Sequence, residues 1–116
     1  MKRQRAERDG RAGEGRAALW LQMKGWRVLD RRRKTPLGEI DLVCKRGNVV
    51  AFIEVKWRKS AIELDYAIDE YRLSRVAAAV EAVAHEYATD GEDVRVDVIL
   101  LAPNSFPRHI VNAWQP

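Results

Sequence analysis

The sequence predicts a single α/β domain in which helices cover a central mixed β-sheet. Three observations predict it. Segments near residues 12–24 and 69–88 carry apolar residues at helical spacing, while short runs between and after them alternate with the two-residue period of strands. A Gly47-Asn48 pair between two such runs marks a hairpin. The 116 residues suffice for one core and are too few for two.

Residues 1–11, "MKRQRAERDGR", are polar throughout and read as a flexible basic tail ahead of a domain spanning 12–116. A helix follows over 12–24, with Glu14, Ala17, Ala18 and Leu21 on one face and Gly25 placed to stop it. "WRVLD" (26–30) alternates like a short strand, and "RRRKTPLG" reads as a basic loop punctuated by Pro36 and Gly38. The hairpin strands lie near 39–46 and 49–57, and "RKSAIELDYAI" is a linker. A long helix starts at Asp69 as N-cap and buries Leu73, Val76, Ala77, Val80, Val83, Ala84 and Tyr87. "VRVDVILL" (94–101) is a buried strand and "HIVNAW" (109–114) an edge strand. This order gives an α+β or α/β sandwich.

Composition narrows the function classes. With 33% charged and 47% hydrophobic residues, the chain has the balance of a soluble globular protein. Its apolar runs are too short to span a bilayer, so no membrane partner is expected, and no apolar stretch follows the basic N-terminus to make a secretory signal. The single Cys44 excludes an internal disulfide and any common zinc-site spacing, which fits a reducing, cytoplasmic setting. Residues 1–34 hold twelve Lys/Arg against four Asp/Glu, whereas the remainder is mildly acidic. A basic head points to a polyanion such as nucleic acid, and equally describes a solubilising leader.

The hairpin carries the chemistry. A two-residue loop at Gly47-Asn48 fixes a register in which paired residue numbers sum to 95. Asp41 then lies opposite Glu54, Glu39 opposite Lys56, and all four share a face with Val43, Val50 and Phe52. Ile40, Leu42, Ile53 and Val55 take the other face. Acids facing each other at about 5 Å are unfavourable unless neutralised. A shared proton, Lys56, or a divalent cation would do so. Two carboxylates holding a hydrated Mg²⁺ beside a lysine are suited to phosphodiester hydrolysis. A hairpin with one wet face explains the same pattern without any cation. Glu14 points from its helix toward the sheet between two glycines that permit close approach, and can act as a third carboxylate or simply favour the helix N-terminus.

Taken together, Glu14, "GEIDLV" with Asp41, and "AFIEVKWR" with Glu54 and Lys56 resemble the YraN family of small bacterial proteins. That family is similar to the PD-(D/E)xK nucleases and to archaeal Holliday junction resolvases, and the resemblance runs from about Arg11 to Trp114. It implies a restriction-endonuclease-like fold and a metal-dependent endonuclease acting on DNA, including branched or damaged DNA. It makes Asp41, Glu54 and Glu14 the ligands of Mg²⁺ or Mn²⁺ and Lys56 the catalytic lysine. No proline directly precedes Asp41, where Ile40 stands, and Arg72 occupies a position at which relatives often carry lysine. A junction cut symmetrically requires two sites, hence a homodimer.

Arg31, Arg32, Arg33 and Lys34 form the expected phosphate-tracking patch, with Arg58 and Arg72 as further nucleic-acid contacts. Trp57 either stacks on nucleic acid or packs at the rim, Trp20 and Trp26 pack at the helix–strand junction, and Trp114 covers a sheet edge. His85 and His109 show no partner that would make a catalytic dyad. The competing functions are a nucleic-acid-binding adaptor that keeps the fold with little cleavage, and a plain interaction domain.

Overall fold

The computed structural model describes residues 2–59 and 70–114, with the side chains of the first helix described from residue 12. Helix α1 spans Lys2–Met23, followed by β1 (Arg27–Thr35), β2 (Gly38–Arg46) and β3 (Val49–Trp57). Helix α2 (Glu70–Tyr87), β4 (Asp93–Leu101) and β5 (Arg108–Ile110) complete the described elements. The strands form one sheet in the order β1-β2-β3-β4-β5. Only the β3–β4 pairing is parallel, and α2 lies on the chain between them, so the sheet is mixed. This is the α/β architecture expected of a restriction-endonuclease-like domain.

Each face of the sheet buries one core. Against α1 lie Ala17, Ala18, Leu21, Trp26, Leu42, Cys44, Ala51, Ile53, Ile99 and Leu101. Against α2 lie Val43, Val50, Phe52, Val96, Val98 and Leu100, joined by Leu73, Val76, Val80 and Val83 from the helix. The helical periodicity thus identified both buried stripes. Helix α1 ends in a Schellman cap: Gly25 adopts φ 91°, its N–H donates to Gln22 and that of Trp26 to Leu21. Leu21 and Trp26 then pack in the same core.

Three boundaries differ from the sequence-based expectations. Helix α1 begins at Lys2 rather than near residue 12, in a stretch rich in strong helix formers. A flexible tail over residues 1–11 concerns side chains outside the described residues, as do Asp69 as N-cap and most of the linker. The predicted basic loop is instead the second half of β1, because the hairpin turn comes later. Thr35 Oγ1 accepts from the amides of Leu37 and Gly38 and donates to the Gly38 carbonyl, which closes the turn there. Charged side chains are at ease on β1 because it is an edge strand. The final strand is only Arg108–Ile110, since Asn112 turns left-handed at φ 53° and its amide goes to Asp97.

Candidate active site

The sequence-derived register is correct over the pairs from Arg46↔Val49 to Leu42↔Ile53. Gly47 adopts φ 58°, as a tight turn with glycine first requires. Backbone pairing between β2 and β3 then stops one residue short of Asp41. The Asp41 carboxylate takes over, Oδ2 accepting from the Val55 amide at 2.8 Å. Ile40 consequently leaves the strict alternation and packs with Val43 in the α2-side core rather than with Leu42. The expectation that Ile40 shares a face with Leu42 is corrected by this release from the ladder.

A cavity of about 560 Å³ opens where the ladder ends. Glu39, Asp41 and Glu54 line it from the sheet, and Tyr71, Arg72 and Arg75 from α2. Within this region Glu14, Glu39 and Asp41 each offer a carboxylate oxygen, and these oxygens lie within 4.8 Å of one another. Burial, opposed by the Val55 amide and reinforced by the charges of Glu14, Glu54 and Glu39, pushes the Asp41 carboxyl up to about 7. Three hard oxygen donors at this spacing fit Mg²⁺ or Mn²⁺ and suit softer metals poorly.

Glu54 stands in the same cavity with different partners. Glu54 is 5% exposed, and its Oε1 accepts both from Lys56 Nζ at 3.0 Å and from Arg72 Nε. Lys56 is 7% exposed, and burial, only partly countered by Glu54, lowers its pKa. The predicted pairing of Glu39 with Lys56 is therefore replaced by Glu54 with Lys56. Of the predicted ligands, Glu14 and Asp41 come together, Glu39 joins them, and Glu54 is neutralised by two cations. Glu39 was missed as a member of this acidic cluster although its position two residues before Asp41, on the same face, signals it.

Arg32 Nε donates to Glu14 Oε2 at 2.8 Å, and Arg33 forks onto Glu86 at 2.7 and 3.0 Å. Half of the expected phosphate-tracking run is thus committed to carboxylates. The Arg58 guanidinium donates to the Trp57 carbonyl at 2.9 Å, while Arg72 faces the cavity with 62% of its side chain exposed. Arg75, on the same wall, was not identified from the sequence. Trp57 is a packer: it lies against the α1-side core, with the Arg16 guanidinium 5.5 Å from its ring centre. The glycines around Glu14 are not required by crowding. A Cβ on Gly13 would meet Leu101 and Trp57 at 3.6 Å, an ordinary contact, and Gly15 faces open space.

One carboxylate outside the cavity was underestimated. Asp97, fully buried, accepts from Arg95 at 2.9 and 2.8 Å and from the Asn112 amide, and pairs with His109 Nε2 at 2.7 Å. Burial would raise its pKa, but the bonds from His109, Arg95 and Asn112 hold it below its ordinary value. His109 therefore has an acidic partner after all, in a network that fastens β5 to β4. The lone Cys44 thiol is buried in the α1-side core, and burial pushes its pKa up to about 12, so it is inert. No helix among the described residues is long and apolar enough to cross a membrane.

The defining pattern of the uncharacterised protein family UPF0102 matches residues 13–101. The chain belongs to that family. It is the YraN family to which the motifs point. A UPF0102 protein of Erythrobacter litoralis is 76% identical over 116 residues, covering all of both chains. One from Sphingopyxis alaskensis is 56% identical over 116 residues, again covering both chains completely. One from Rhizorhabdus wittichii is 51% identical over 113 residues, 97% of this chain and 96% of its own. The UPF0102 match contains every acid of the cavity together with Lys56 and Arg72, and stops before β5.

Proposed function

We propose that this UPF0102 protein is a metal-dependent endonuclease that hydrolyses phosphodiester bonds in DNA, with Mg²⁺ or Mn²⁺ as cofactor. The observation that carries the reading is the convergence of Glu14 with Glu39 and Asp41, two acids that line an open cavity together with Glu54, itself paired with the buried Lys56. Asp41, through the oxygen not engaged by Val55, would hold the cation with Glu14 and Glu39. When bound, such a cation supplies a water of lowered pKa and positive charge beside the phosphoryl oxygens. Lys56 is held by Glu54 with its Nζ beside the acids, where it can orient an attacking water or stabilise charge on the phosphate. Arg72 presents an exposed guanidinium at the cavity wall, where a phosphate can accept from it.

The test is incubation with nicked, branched and single-stranded DNA in Mg²⁺ or Mn²⁺, beside Asp41→Asn and Glu54→Ala. Cleavage by the wild type and its loss in both variants is expected. Cleavage that persists unchanged in the variants would remove the assignment from this cavity. One observation favours a second reading, a DNA-binding adaptor with little activity: Glu54, a predicted metal ligand, is already neutralised by Lys56 and Arg72. Salt-dependent DNA binding without cleavage would support it.

A further inference from the structure

Arg32 stands in β1 between Arg31, which pairs with Leu42, and Arg33, which pairs with Ile40. That places it across from Asp41, the residue at which the neighbouring ladder ends. Its backbone is left-handed, φ 53°, a conformation that is strained for a non-glycine residue unless its surroundings enforce it. Its Nε lies 2.8 Å from Oε2 of Glu14, one of the three carboxylates that converge on one another here. The Arg32 side chain is 39% exposed and that of Glu14 only 15%, so the arginine approaches a recessed acid from the solvent side. The guanidinium is therefore a positive charge seated at the edge of the whole acidic cluster.

We infer that Arg32 is the resident counter-cation of this cluster and competes with a divalent cation for Glu14. This rests on the proposed reading of Glu14, Glu39 and Asp41 as metal ligands. Arg32 draws on the Glu14 carboxylate through Oε2, and its positive charge opposes that of an incoming cation, so loading displaces the guanidinium from the cluster. The exchange keeps the acids neutralised in the metal-free protein, where three converging carboxylates would otherwise repel one another. The released arginine, anchored on the strand beside Asp41, becomes available to a substrate phosphate.

Mn²⁺ titration of the full chain, followed by the electron paramagnetic resonance of free Mn²⁺, separates the possibilities. Arg32→Gly removes the guanidinium and suits the left-handed backbone, so it is expected to fold and to bind Mn²⁺ about tenfold more tightly. Arg32→Lys retains the charge and is expected to lie between wild type and glycine. Arg27→Gln, at the far end of β1, controls for net charge and is expected to change the affinity less than about twofold. Unchanged or weaker binding by Arg32→Gly, with binding still abolished by Asp41→Asn, overturns the competition alone. Absence of Mn²⁺ binding in every protein, or binding indifferent to Asp41→Asn, overturns the metal-site reading and the competition with it.

Discussion

Asp41 is a carboxylate held in a place that disfavours its charge. Its pKa near 7 lies well above the ordinary unfolded value of about 3.9. A raised carboxyl contributes stability that is complete below the unfolded pKa and is lost as pH rises through the folded one. The metal-free protein is thus expected to lose a few kcal/mol between about pH 4 and pH 7 through this residue. Asp41→Asn, which can still accept from Val55, removes that dependence and is expected to be more stable than wild type at pH 8. Denaturant unfolding of both proteins across this range checks the sign, and parallel pH profiles would contradict it. Glu54→Ala acts oppositely, since it leaves Lys56 buried without its acid. A loss of about 3 kcal/mol is expected at neutral pH, read from the same unfolding curves.

At the scale of elements, periodicity was informative wherever one packing force decided the outcome. The stripes of α1 and α2 and the hairpin register follow from apolar spacing and from Gly47. The continuation of β1 through "RRRKT" was not legible, because its charges resemble a loop and only pairing with β2 makes it a strand. The end of the β2–β3 ladder at Leu42 was equally hidden. It depends on a side chain replacing a backbone acceptor, a substitution that alternation patterns do not encode. The Asp97–His109 contact joins residues on β4 and β5 and could not be assembled from local spacing. Its role is structural here, and Asp97→Asn is expected to cost about 2 kcal/mol. Amide exchange should accelerate at Asn112, bonded to Asp97, and at Ala113, bonded to Val96. Unaltered protection at both amides would show that β5 does not depend on Asp97.

Across the whole molecule, the acids gather where the β2–β3 ladder ends, while many basic residues are spent on internal pairing. Arg32 and Arg33 within the first 34 residues meet carboxylates, as do Lys45 and Arg95 beyond them, so the count of basic residues overstates the charge available to a polyanion. DNA binding is consequently expected to involve few phosphates. Raising salt from 50 to 200 mM should weaken it by roughly tenfold rather than by the thousandfold or more typical of many contacts. Fluorescence anisotropy at the two salt concentrations tests this estimate. The acidic "GEIDL" and "EVKWR" segments were the most readable part of the candidate site, since they bring Asp41 and Glu54 to one cavity with Lys56 paired to Glu54. Glu14 was legible as an inward-facing acid that meets Asp41 through the packing of α1 on the sheet, whereas Glu39, on the same strand as Asp41, was the member of the cluster overlooked. The most direct test of the central claim is Mn²⁺-dependent cleavage of a branched DNA by wild type and by the stable Asp41→Asn variant. Cleavage that rises with Mn²⁺ in the wild type and vanishes in the folded variant is the predicted result. No cleavage by the wild type, or equal cleavage by both, would contradict it.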